Sequence, residues 1–170
     1  MATTAVSQDE MMDVERRLVE EMWNEGDLSV ADETHDSAMV VHWEREFSDL
    51  EEMKAYVSEV RKGCPDFHMD VAFTVADDDR VTVGWTATGT NTDEMRGIPA
   101  TGRFFRISGM WTHRFVDGKV VEGWSSWDAY GLREQLGLTF PRVLVTLPWV
   151  YAKRLYRRVR SGEPASPQTR

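Results

Sequence analysis

Cysteine is almost missing from this chain. Cys64 stands alone, so no internal disulfide can form and a disulfide-stapled fold is excluded. No Cys/His cluster has zinc-ligand spacing, and no metal is expected. No apolar run approaches the length of a membrane-crossing helix. The first residues, MATTAVSQDE, lack the charged and apolar regions of a secretory signal, so a soluble cytoplasmic protein is the expectation. Lysine is scarce, with four against sixteen arginines. An acid-rich, lysine-poor surface suits a high-salt cytoplasm, where screening weakens self-repulsion; an ordinary acidic bacterial protein is the other reading.

What is present is acid, aromatic bulk and clear periodicity. The net charge is −9, unevenly placed. Residues 1–140 carry 28 acids against 13 Lys and Arg, whereas residues 141–160 carry six bases and no acid. An acidic body argues against nucleic acid as a partner. Hydrophobic residues make up 41%, enough for a core, and seven Trp and seven Phe add to its bulk.

Ser7-Gln8-Asp9-Glu10 fits a capping box, and Met11, Val14, Leu18 and Met22 then mark one helix face, with Gly26 suited to its C-terminal cap. Residues 27–34 predict one or two further helical turns, and residues 38–43 a strand ending near His42. Ser48 to Glu51 form a second capping box, followed by a helix that stops at Gly63 before Pro65. Phe67, Met69, Val71, Phe73 and Val75 alternate with polar residues, predicting a half-buried strand with those five on one face. Val81, Val83, Trp85 and Ala87 predict the next strand, residues 92–101 a loop, and residues 130–136 a short helix closed by Gly137. Helices segregated from a largely antiparallel sheet make the fold class α+β. If the sheet is strongly curved and wrapped by the N-terminal helices, it forms a cone with an internal pocket. The expected division is a cone domain over residues 1–138 and a basic, partly helical tail over residues 139–170.

The chemistry concentrates between Arg103 and Asp128. Asp117-Gly118 predicts a two-residue hairpin turn, because both positions of that turn need positive φ. An unbroken ladder then sets Trp111 against Trp124, His113 against Glu122, Gly109 against Ser126, and Ile107 against Asp128, all on one side. Asp128 has two readings. In an apolar pocket its pKa rises and it can act as acid/base near neutral pH. Alternatively it caps the helix that follows.

Several segments together resemble the SnoaL-like polyketide cyclases: Trp23-Asn24-Glu25-Gly26-Asp27, Met39-Val40-Val41-His42, Cys64-Pro65-Asp66, Thr88-Gly89-Thr90-Asn91-Thr92, Gly97-Ile98-Pro99-Ala100-Thr101-Gly102-Arg103, Asp117-Gly118-Lys119-Val120-Val121-Glu122-Gly123-Trp124, and Gln135-Leu136-Gly137. The resemblance spans about residues 10–138. It implies the cone shared with nuclear transport factor, ketosteroid isomerase and scytalone dehydratase. It also implies an intramolecular aldol cyclisation, without cofactor, in which an aspartate moves the proton beside a carbonyl. The cyclase aspartate aligns with Ser125 here, and Asp128 with a second acidic position. Gly109 and Trp111 replace polar pocket residues, His42 matches a polar pocket position, and Asn91 stands where many members have His.

The resemblance therefore implies a small apolar carbonyl or ester ligand, with Asp128 as candidate acid/base and His42 auxiliary. Trp111, Trp124, Ser125, Asn91 and Gly109 would line the pocket. The alternatives are a non-catalytic ligand binder and a domain that dimerises through its outer sheet face. For the basic tail, packing back onto the acidic body is preferred over lying on an anionic membrane.

Overall fold

The structure is a computed structural model, and it describes residues 7–42 and 49–161. Helix α1 (Gln8–Arg17) starts at the expected capping box: Ser7 Oγ accepts from Glu10 N while Glu10 reaches back to Ser7 N. It continues as a π-helical stretch, Leu18–Glu25, that ends on Gly26 at φ 86°. Helix α2 (Ser29–Thr34) leads into β1 (His35–His42), which begins three residues before the expected start. The expected strand end at Trp43 and cap at Ser48 lie outside the described residues. Asp49 is the N-cap of α3 (Leu50–Gly63), accepting from Glu52 N.

Four strands follow: β2 (His68–Asp77), β3 (Arg80–Thr90), β4 (Phe104–Val116) and β5 (Lys119–Trp127). They form one open sheet in the order β1-β5-β4-β3-β2, with β1 parallel to β5 and the other pairs antiparallel. Helices α4 (Ala129–Gln135) and α5 (Val143–Ser161) follow the last strand. The α+β class and mostly antiparallel sheet are as the sequence predicts.

Two bulges change which side chains face inward. Asp117 and Gly118 adopt positive φ as the turn requires. The hairpin begins in the expected register, Val116 with Lys119 and Phe115 with Val120. An irregularity then accommodates Val121, and Arg114 meets Glu122. From there Trp111 faces Ser125, His113 faces Gly123 and Gly109 faces Trp127, which corrects the predicted pairs. A bulge shifts every later side chain on its strand to the other face. In β2 the same happens between Val71 and Phe73. Phe73 and Val75 therefore emerge on the exposed face instead of joining Met69 inside, and Val71, ahead of the bulge, is exposed as well.

The inner face carries Val81, Val83, Trp85 and Ala87 from β3 and Phe105, Ile107, Trp111 and Phe115 from β4. Met11, Leu18, Val19, Met22 and Trp23 from the first helix cover it, with Met53, Val57 and Val60 from α3. Burying one such large side chain contributes roughly 1.5–3 kcal/mol. Cys64 sits at the α3–β2 corner, fully buried, with its Sγ 3.8 Å from Met95 Sδ.

Candidate ligand cavity

Between the helices and the inner sheet face lies a cavity of about 490 Å³. Such volumes suit a small organic ligand. One wall is aromatic: Trp23 meets Tyr56 of α3 edge-on at 6.0 Å and, at a tilt, Phe67 just before β2 at 5.6 Å. The opposite wall is the sheet, where Trp85 and Trp111 lie 5.9 Å apart. Gly109 makes that wall possible: a Cβ there would stand 2.4 Å from Trp85 and 2.6 Å from the Trp127 Cβ. Aromatic bulk thus occupies the gap that Gly109 leaves.

Polar groups are few. Ser125, Arg96 and Arg133 line the cavity with Tyr56. The Arg96 guanidinium lies 4.7 Å over the Tyr56 ring and 3.4 Å from Glu59. Arg133 is exposed on α4, and no described side chain pairs with it. Trp85 Nε1 is buried with no hydrogen-bond partner among the described residues. No carboxylate and no histidine lines the cavity among the described residues.

The acidic and imidazole groups lie behind the wall, in a buried cluster that sequence reasoning missed. Glu15 is 1% exposed. Its Oε2 accepts from Trp111 Nε1 and its Oε1 from His113 Nδ1, both at 2.7 Å. His113 stacks at 5.9 Å on Trp111 and meets His35 edge-on at 5.9 Å. Thr34 Oγ1 donates to Val30 O, so it accepts from His35 Nδ1 at 2.9 Å, and Nε2 has no hydrogen-bond partner among the described residues. Burial, with the neighbouring His113, pushes the His35 imidazole down to about 3. A signal for the cluster exists in the sequence: Glu15 falls one turn after Met11 and three residues before Leu18, on the apolar stripe itself.

Of the predicted site residues, Trp111, Ser125 and, through its packing, Gly109 belong to the cavity wall. Trp124 and His42 do not line it. The bulge at Val121 carries Trp124 to the outer face, where His42 stacks on it at 5.4 Å and the Arg80 guanidinium lies 5.6 Å above it. There His42 Nε2 and Arg114 Nε both meet Glu122 at 3.0 Å, holding its carboxyl below the usual range. Asn91 is buried but committed: its Oδ1 accepts from Thr101 N and Oγ1, and its Nδ2 donates to Asp93 O. Asp128 is exposed and accepts from Gly131 N at 2.7 Å as the N-cap of α4. The apolar surroundings that an acid/base role needs are absent there.

An open curved sheet enclosing an aromatic cavity against two helices defines the cone class of α+β proteins. The SnoaL-like polyketide cyclase profile matches residues 13–136, and the chain belongs to that family. Among solved structures it is similar to AclR from Streptomyces galilaeus, provisionally named a hydroxylase, with 30% identity and a TM-score of 0.69 over 78% of this chain and 99% of that one. It is also similar to IdmH from Streptomyces antibioticus, provisionally named a polyketide cyclase, with 28% identity and a TM-score of 0.64 over 75% and 98%. TsrD from Streptomyces laurentii shares the fold, with 22% identity and a TM-score of 0.73 over 79% and 99%. A search of curated proteins finds no match.

Proposed function

We propose that the cone cavity binds a flat, largely apolar carbonyl or ester compound of polyketide type, and that binding, rather than carboxylate acid/base turnover, is what its residues are suited to. The observation that carries this reading is the lining itself: tryptophans, methionines and aliphatics, with polar groups limited to Ser125, Tyr56 and two arginines. The aromatic rings on both walls offer a planar ligand offset or edge-on contacts. The Arg133 guanidinium can donate to a ligand carbonyl, and Ser125 offers a second donor. Serine at the cyclase aspartate position is not a base without an activating group, and no histidine or carboxylate lines the cavity beside it among the described residues.

Titrating the protein with polycyclic aromatic ketones and esters, followed by tryptophan fluorescence, tests this. Saturable quenching is expected, weakened about tenfold or more by Trp111→Ala, since an aromatic contact and its buried area are lost together. Absence of saturable binding across the panel would sink the reading. Hydrogen–deuterium exchange at the carbon beside the bound carbonyl separates binding from turnover. Catalysed exchange that disappears in Asp128→Asn would restore Asp128 as the acid/base and displace the binder.

A further inference from the structure

The family match ends at residue 136, and α5 lies wholly beyond it. At 100° per residue its side chains sort into two unlike sectors. Thr146 and Val150 are buried and hold the first turns of the helix on the body, where Thr146 Oγ1 lies close to Gly137. On the opposite side, Leu144, Val145, Trp149, Tyr151, Leu155 and Tyr156 fall within an arc of about 160°. All six are between 52% and 75% exposed. Leaving that much contiguous apolar surface in water is costly, and a patch of this kind marks an interaction site. The helix carries no acid at all. Lys153 and Arg160 border one edge of the arc, and Lys153 Nζ rests 4.8 Å over the Trp149 ring. Arg154 lies beyond the other edge and reaches Glu94 at 3.5 Å.

We propose that α5 is an interfacial anchor that lays this apolar arc on an anionic lipid surface. An apolar face rich in Trp, Tyr and Leu, bordered by Lys and Arg, is the arrangement that settles at the boundary between headgroups and acyl chains. The helix has 19 residues, so it runs about 28 Å along such a surface. It is too charged to cross a bilayer; no described helix qualifies as a span. Charge selects lipid over a second copy. Two such helices meeting arc to arc would bring their bases together with no helix acid to offset them, whereas an anionic surface meets Lys153 and Arg160 along one edge of the arc. Screening confines the repulsion from the acidic body to charges within about 8 Å of the lipid.

The test is flotation of the full chain with phosphatidylcholine vesicles, with and without about a quarter phosphatidylglycerol. The variant is Val145→Glu/Leu155→Glu, whose sites are exposed, and its thermal unfolding should match that of the unaltered chain. The unaltered chain is expected to float with the anionic vesicles and to bind neutral ones at least about tenfold more weakly. The double variant should lose about tenfold or more of the anionic binding, and salt near 0.5 M should release the chain. No binding to anionic vesicles, or equal binding by the variant, overturns the proposal. So does lipid-free sedimentation in which the unaltered chain is a dimer and the variant a monomer, which would assign the arc to a second copy. Ligand binding in the cavity bears on neither outcome, so the two readings stand or fall separately.

Discussion

Two hydrogen bonds of 2.7 Å converge on the Glu15 carboxylate, one from Trp111 in the cavity wall and one from His113 behind it. In Glu15→Leu both buried donors lose their acceptor, and an unmet buried donor costs about 1–3 kcal/mol. Urea unfolding should therefore show a loss of about 2 kcal/mol, and an unchanged midpoint would contradict the tie between Glu15 and the wall. His35 gives a pH dependence of fixed sign. Its folded imidazole is held down to about 3 by burial, against an ordinary 6.5. Below pH 6.5 the unfolded chain takes up a proton that the folded chain refuses. This contribution is complete above 6.5 and is lost as pH falls toward 3, by at most about 1.4 kcal/mol per pH unit. In His35→Asn this part of the acid sensitivity should vanish. Urea midpoints for both proteins at about pH 7.5 and about pH 5 measure it, and parallel losses would count against His35 as the cause.

At the level of elements, Asp128 separates two accounts of the hairpin's end. As an N-cap it should tolerate Asp128→Asn with little change in stability, while Asp128→Ala loses about 1 kcal/mol by thermal or urea unfolding. Gly109→Ala sets a Cβ 2.4 Å from the Trp85 ring, so the wall must shift. The expected cost is about 1–3 kcal/mol together with weaker ligand binding, and an unaltered melting curve would show that Trp85 has room to move. Legibility in the sequence follows the range of the interaction. The capping box at Ser7 and Glu10, the Gly26 cap and the Asp117-Gly118 turn are local, and each is where the sequence puts it. The bulges are not local. Val120 and Val121 are both β-branched and apolar, and nothing in that pair announces that only one takes a regular place opposite β4. That single extra residue moved Trp124 out of the cavity. Glu15 was hidden differently, since a carboxylate on an apolar stripe reads as a solvated neighbour until its two donors arrive from β4, 96 and 98 residues away.

Across the whole molecule, charge and apolar surface are divided between an acidic cone and a basic helix. Screening should relieve repulsion within the cone more than it weakens its exposed ion pairs, which are individually worth little. Raising KCl from about 0.1 M to about 1 M is expected to raise the melting temperature, and a fall would show that the surface pairs dominate instead. Cys64, the only thiol, is fully buried, and its surroundings push its pKa up to about 11. A thiol in that state barely reacts with alkylating reagents, which attack the thiolate. The protein thus carries a single built-in chemical clock: the rate at which Cys64 is labelled under native conditions reports how often the corner between α3 and β2 breathes open.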